Sequence, residues 1–280
     1  MVDLHSHTDR SDGVLTPSEL VDLAKRVRLS ALGISDHDTI QACEEIGDYA
    51  RQQGVELIHG VELAAKFRNR SIHVLGYFLE APPDELFGRR LDQLKAQRAD
   101  RNLRLVKKLQ SIGVDITIDE VRNLGKHQTG RPHFARVLIG KGYCPDFRSA
   151  FEMFLDERAP GFVPREELSL ATVLKWIRES GGISSWAHPA RFIRASGEEP
   201  ESLFHEIAAH GMLAIESYHR DHEPVECASY RAAAQKLGLG VTGGSDFHGP
   251  TLGGVPLGGM GIPDMLLDNL KAYSRKVYSA

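Results

Sequence analysis

Two histidines one residue apart lie near the start of the chain, His5 and His7 in Asp3-Leu4-His5-Ser6-His7-Thr8. On an extended strand, residues i and i+2 share a face, so both imidazoles can reach one divalent ion. Asp12 follows within a short loop, Ser11-Asp12-Gly13. The same residue types recur at intervals: His37 in Ser35-Asp36-His37-Asp38, Glu62 in His59-Gly60-Val61-Glu62, and His188 in Trp186-Ala187-His188-Pro189. Asp246 and His248 close Gly244-Ser245-Asp246-Phe247-His248, again one residue apart. Each ends a short apolar run; His73, inside Ser71-Ile72-His73-Val74-Leu75, is the outlier. A solitary histidine on an apolar strand is usually a hydrogen-bonded core residue. Six histidines and three carboxylates gathered at strand ends are a different matter. Buried imidazoles and carboxylates are costly unless paired or metal-bound, and this mixed N/O donor set suits divalent cations.

The elements that must position these groups are short apolar runs alternating with amphipathic stretches. Candidate strands are Val2–Leu4, Ala31–Ser35, Val55–Val61, Ser71–Phe78, Gly182–Ala187, Met212–Ser217 and Leu239–Gly244. Helix starts are signalled by the capping box Thr16-Pro17-Ser18-Glu19 and by Ser169 before LATVLKWIRES, which Gly181-Gly182 ends. Such alternation predicts parallel βαβ units, hence an α/β sheet or barrel. In both, the strand C-termini converge on one face, which hosts the active site. Between about Pro82 and Pro164 the alternation fails, and the pattern is helical throughout, with Gly and Pro at the joins. This predicts a helical insertion over 82–164, between a first barrel segment 1–81 and a second, 165–280.

Composition narrows the function classes. At 280 residues, 41% hydrophobic and 26% charged, the chain is an ordinary folded one, neither collagen-like nor disordered. The net charge of −4 argues against a globally basic nucleic-acid coat, although residues 81–110 carry a basic excess. Cys43, Cys144 and Cys227 form no CxxC pair, which disfavours a zinc ribbon or a disulfide framework. No apolar run approaches the ~20 residues that span a bilayer. The N-terminus has no signal-peptide pattern, so cytoplasmic residence without membrane attachment is expected.

Taken together, DLHSHT at 3–8, SDG at 11–13, SDHD at 35–38, Glu62, His73, AHP at 187–189 and GSDFH at 244–248 resemble the polymerase and histidinol phosphatase (PHP) family. The resemblance implies a distorted seven-stranded (β/α) barrel and a three-metal cluster. In it, His5, His7, Glu62 and Asp246 would hold a first ion; Glu62, His73 and His188 a second; Asp12, His37 and His248 a third. Asp12 stands where some members have histidine, a harder donor that moves the expected metal toward manganese, with zinc, iron or magnesium also open. Gly130-Arg131-Pro132-His133-Phe134-Ala135-Arg136 after a long basic helix resembles the branch of nucleoside 3′,5′-bisphosphate phosphatases and 5′-to-3′ exoribonucleases.

The expected reaction is therefore phosphoester hydrolysis by a hydroxide held between two ions, with Asp246 or Asp38 as the acid that assists the leaving oxygen. No GxSxG or P-loop pattern points to a protein nucleophile. Arg131 suits a second phosphate through bidentate hydrogen bonds, with His133 two residues on. Arg101, Asn102 and Arg104 are further candidates for substrate contact, with a solvated helix face as the alternative. His219 and His222 follow the sixth strand and are either substrate contacts or surface residues. The expected substrate is a nucleoside 3′,5′-bisphosphate. Alternatives are short 5′-phosphorylated RNA or, in a different class, a non-catalytic metal-binding module of a polymerase. No obligate protein partner is expected.

Overall fold

The computed structural model describes residues 1–125 and 127–279. The first segment runs β1 (Val2–Asp3), α1 (Pro17–Arg26), β2 (Ala31–Ile34), α2 (Gln41–Gln53), β3 (Glu56–Phe67) and β4 (Arg70–Phe78). Then come α3 (Glu85–Ser111), α4 (Ile118–Leu124), α5 (Arg131–Gly140) and α6 (Phe147–Ala150), the last running into a π-helical turn, Phe151–Leu155. The chain returns through β5 (Leu168–Ser169), α7 (Leu170–Glu179), β6 (Ile183–Trp186), α8 (Ala190–Ser196), α9 (Pro200–Ala209), β7 (Ala214–Tyr218), α10 (Pro224–Lys236), β8 (Gly240–Gly243) and α11 (Asp264–Ser279).

Local chemistry explains where these elements begin. Thr16 accepts from the Glu19 amide while the Glu19 side chain accepts from that of Thr16, and Pro17 supplies the preset φ of a first helical residue. Ser169 caps α7 by accepting from the Thr172 amide, and Asp84 caps α3 through the Phe87 amide. At the end of α2, Gly54 takes the left-handed conformation at φ 74°, where a Cβ would be strained.

Seven strands pair in the order β1-β2-β3-β4-β6-β7-β8, with β5 on the extended end of β3. The circle closes through backbone bonds from Leu4 N–H to the Gly243 carbonyl, Asp246 N–H to His5 and His7 N–H to Phe247. Gly244 permits that closure, because a Cβ there would collide with the His5 backbone. The fold is thus a seven-stranded barrel with helices outside.

The expectation of uniformly parallel βαβ units is not met at one strand. β4 is antiparallel to both β3 and β6. It follows β3 directly through Arg68 and Asn69, both at positive φ (47° and 61°), the two-residue reversal that matches strand twist. This accounts for His73: its strand begins at the rim where the parallel strands end.

Apolar side chains from the strands and their outer helices form the barrel cores, around Trp186 and Phe204, Leu4 and Ile262, and Leu20 and Ile34. A further cluster is built from residues between Leu105 and Leu155, including Phe134 and Leu138. Among the described residues, no helix is long and apolar enough to cross a membrane.

Candidate metal and phosphate site

The strand ends deliver their polar groups to one point, at whose centre stands Glu62. Its Oε2 lies 3.3 Å from Nε2 of His5 and of His7 and 3.4 Å from Nδ1 of His37. Its Oε1 lies 2.7 Å from His73 Nδ1 and 3.2 Å from His188 Nε2. Asp246 Oδ1 faces Nε2 of His5 and of His7 at 3.3 and 3.2 Å. On the far side of His7, Asp12 approaches His248 at 3.3 Å and His37 at 3.8 Å.

Four donor groups follow from this packing: His5, His7, Glu62 and Asp246; His7, Asp12, His37 and His248; His37, Glu62 and His73; and His5, Glu216 and His219. The first is the set that the family resemblance implies for one ion. The second is the implied third set with His7 added. His188 reaches Glu62 but, among the described residues, joins no such group.

The electrostatics explain why the cluster suits cations. Burial opposes ionisation of Glu62, Asp12 and Asp246, yet the surrounding imidazoles hold all three well below the usual carboxylate range. Burial pushes His37 down to about 4, whereas in His7 the contacts with Asp246 and Glu62 outweigh burial and raise it to about 10. Neither ring nitrogen of His7, although fully buried, has a hydrogen-bonding partner. On losing its proton the His7 ring would present a nitrogen between ionised carboxylates, a donor arrangement that suits a divalent cation in the proton's place. The residues present therefore fit divalent metal.

Beside the cluster opens a cleft of about 540 Å³, lined by Asp12, His37, Glu62, His73, His188, Asp246 and His248 on the barrel side. Arg98, Arg101, Arg131 and Arg165 also line it, as do Phe151, Phe162, Pro132 and Pro164, while Arg220 joins from the segment after β7. Asp38 is held between Arg98 and Arg165, the latter at 2.9 Å. Burial would raise its pKa, but the two guanidiniums hold it far below the carboxylate range, so this carboxyl has no proton to give near neutral pH.

Arg101 is only 4% exposed, and its Nε lacks any hydrogen-bond partner. Burial and the neighbouring charges of Arg98, Arg131, Arg165 and Arg104 push it down to about 9. Among the described residues, neither Arg101 nor Arg131 has a carboxylate in ion-pair contact. Arg131 instead stacks over Phe151, 5.8 Å from the ring centroid, with Nη1 3.5 Å from the Leu155 carbonyl. The buried Arg101 and the half-buried Arg131 thus bring uncompensated positive charge to the cleft.

The remaining sequence candidates take other places. Asn102 is buried away from the cleft and donates to the carbonyl and hydroxyl oxygens of Thr129. His133 accepts the Gly130 amide at Nδ1, closing the start of α5. Both thereby fix the segment that carries Arg131. Arg104 lies on the outer face of α3, paired with Asp100. His222 is buried against Tyr230 and bonded to the Ser217 carbonyl. His219 is buried at the rim, with Nδ1 accepting the Asp221 amide at 3.1 Å and Nε2 3.4 Å from Asp246 Oδ2. The accepting Nδ1 places the ring proton of neutral His219 on Nε2, facing the site.

A PHP domain model matches residues 3–130 of this chain. A 5′-3′ exoribonuclease of Haemophilus influenzae is 31% identical over 248 residues, covering 89% of this chain and 90% of the relative. The chain belongs to the PHP family. It is a hydrolase of that family, with the metal-type donor cluster at the barrel mouth. A 3′,5′-nucleoside bisphosphate phosphatase of Chromobacterium violaceum is also similar, 29% identical and spanning 92% of this chain and 90% of its own length. Among solved PHP-like folds, a Bifidobacterium adolescentis protein described as a metal-dependent phosphoesterase superposes with a TM-score of 0.85 at 28% identity, covering 97% of this chain and 96% of that one.

The residues that sequence reasoning missed are Glu216, Arg98, Arg165 and Arg220. Glu216 carried a signal, a lone carboxylate in the apolar run Met212–Ser217. The arginines carried none beyond the basic excess of α3 and the position of Arg165 beside Pro164.

Proposed function

We propose that this PHP chain is a metal-dependent phosphatase that removes one phosphate from a nucleoside 3′,5′-bisphosphate. The observation that carries this reading is the cleft itself, whose lining combines a carboxylate–imidazole cluster with Arg101 and Arg131, unpaired with any carboxylate among the described residues. The cluster suits the phosphate that reacts and the arginines a phosphate that is only bound. His5, His7, Glu62 and Asp246 would hold one ion, Glu62, His73 and His188 a second, and Asp12, His37 and His248 a third, with manganese favoured over zinc, iron or magnesium. Bound divalent ions neutralise phosphoryl charge and make water nucleophilic near neutral pH.

The protein's own groups do the rest. Residues 82–164 act as a cap that supplies specificity. Arg131 grips the non-reacting phosphate and Arg101 lies behind it. Asp38 serves as the anchor that orients Arg98 and Arg165, a role that replaces the acid expected of it. His219 offers its Nε2–H to a substrate oxygen beside Asp246, and Arg220, 3.3 Å from Asp246, adds positive charge there.

Replacing Arg131 with alanine is expected to lower kcat/KM for adenosine 3′,5′-bisphosphate by about 10- to 100-fold, the worth of a charge-assisted hydrogen-bond pair. Turnover of an aryl monophosphate should change no more than about threefold, because it lacks the second phosphate. Equal losses on both substrates would remove Arg131 from substrate recognition.

Short 5′-phosphorylated RNA is the second reading. The lining of the cleft also includes Lys66, Asn69 and Arg191, basic and polar groups that a longer phosphodiester strand would contact.

A further inference from the structure

Glu216, on β7, lies behind the cluster and outside the ligand sets proposed above. It is fully buried. One carboxylate oxygen, Oε1, lies 2.9 Å from His5 Nδ1. The other, Oε2, accepts the backbone N–H of His188 at 2.6 Å. His5 turns its second nitrogen, Nε2, toward Glu62 and Asp246, 3.3 Å from each. His188 has a left-handed backbone, φ 33°, which a side chain bearing a Cβ rarely adopts unless held there. From that conformation its Nε2 reaches 3.2 Å from Glu62 Oε1.

We infer that Glu216 is a positioning residue that sets ligands of two different ions at once. This rests on the reading of the cluster as a metal centre. Toward His5, the carboxylate keeps the ring proton on Nδ1 and leaves the Nε2 lone pair facing Glu62 and Asp246. Toward His188, it holds the backbone turn that aims the imidazole at the other oxygen of Glu62. The grouping of His5, Glu216 and His219 is accordingly a hydrogen-bonded support and not a separate ion site. His5 Nδ1 is committed to Glu216, and His219 Nδ1 to the Asp221 amide. Carboxylate-to-imidazole contacts of this kind orient metal ligands, and their loss typically weakens metal binding 10- to 100-fold.

Glutamine is the informative replacement because it has the same shape and only one acceptor. Glu216 serves two donors. If the glutamine oxygen takes the His188 amide, its NH2 faces His5 Nδ1, so the ring proton moves to Nε2 and that nitrogen stops being a ligand. If the oxygen takes His5, two N–H groups meet at residue 188 and the turn must shift. Either orientation harms one ion directly, and the shared Glu62 carries the harm to the other.

The test is Mn²⁺ titration of metal-stripped protein by equilibrium dialysis and electron paramagnetic resonance, with ring ¹⁵N shifts reporting the His5 tautomer. In Glu216→Gln, Mn²⁺ affinity at the two tightest sites should fall about 10- to 100-fold together. Thr242→Val is the control for a merely structural role, since it breaks the buried Ser185–Thr242 hydrogen bond (2.7 Å) in the neighbouring strands. It should lower thermal stability and leave Mn²⁺ affinity unchanged. Unchanged Mn²⁺ binding in Glu216→Gln would overturn the inference, as would an equal loss in Thr242→Val. Wild-type protein that binds no Mn²⁺ tightly would overturn the metal reading first and this inference with it.

Discussion

Replacing Glu62 with glutamine should cut kcat/KM about a thousandfold or more, ~4 kcal/mol, on every phosphoester the protein hydrolyses. The size of the effect follows from geometry. The two oxygens of this one carboxylate face five imidazoles, those of His5, His7, His37, His73 and His188. Glutamine preserves the side-chain volume but removes the charge and replaces one acceptor oxygen with a donor nitrogen. Any ion held through Glu62 would then lose an anionic ligand. Bound manganese, measured by elemental analysis after dialysis, should fall by at least about one equivalent per chain relative to wild type. The circular dichroism spectrum should stay native, because the strands on either side are held by backbone bonds independent of this side chain. Loss on all substrates distinguishes this variant from Arg131→Ala, which is selective. Activity within tenfold of wild type, with full manganese content, would show that Glu62 is an ordinary buried carboxylate.

The second large effect joins stability to function. Arg101→Met should make the protein more stable and much less active on a bisphosphate. A buried guanidinium with no carboxylate partner, repelled by Arg98, Arg131 and Arg165, is a cost to the folded state. Methionine fills similar space without a charge to desolvate. A gain of about 1 kcal/mol, or about 2–4 °C in Tm, is expected for a chain of this size. The same substitution should lower kcat/KM for the bisphosphate by about 100-fold, because the cleft loses a charge that only an anion satisfies. Inorganic phosphate should also raise the Tm of the wild type more than that of the variant, as ligand linkage requires. A destabilised variant that still turns over the bisphosphate would mean that Arg101 is structural and finds its partner within the protein.

The carboxylate–imidazole side of the site was legible in the sequence because strand ends impose strong constraints. HxH and DxH spacings point two side chains the same way, and a parallel barrel sends its strand termini to one face. The arginine side was far less legible. On α3, Arg98 and Arg101 are three residues apart and lie within about 60° of each other around the axis. Arg104 is another three residues on and rotates away by about 60° more, to solvent and Asp100. Sequence alone does not give the phase of a helix whose basic residues occur on several faces, so Arg101 and Arg104 look alike in it although only Arg101 lines the cleft. Arg165 illustrates a different limit. It comes from the returning chain, far from Asp38 in sequence, and only the fold brings the two within 2.9 Å.

The strand count was right, but one direction was not. β3 runs on to Phe67 and turns at Arg68-Asn69, a reversal without the glycine that usually marks such hairpins. A crossover was therefore expected where the chain simply doubles back. Glu216 was passed over because a single carboxylate within a strand has no spacing partner. Its meaning lies in contacts with His5 and the His188 amide, 211 and 28 residues away in sequence.

The central claim, that a metal cluster and a wall of arginines act together on a substrate with two phosphates, is tested most directly by one comparison. Manganese-loaded protein is assayed on adenosine 3′,5′-bisphosphate, adenosine 5′-monophosphate and a short 5′-phosphorylated oligoribonucleotide, before and after chelation. The predicted result is a kcat/KM for the bisphosphate about 100-fold above that for the monophosphate, ~3 kcal/mol of selectivity, with all turnover lost on chelation and restored by Mn²⁺. Faster cleavage of the oligoribonucleotide would move the assignment to the nuclease reading. Equal rates on the two mononucleotides, or turnover that survives chelation, would contradict the claim.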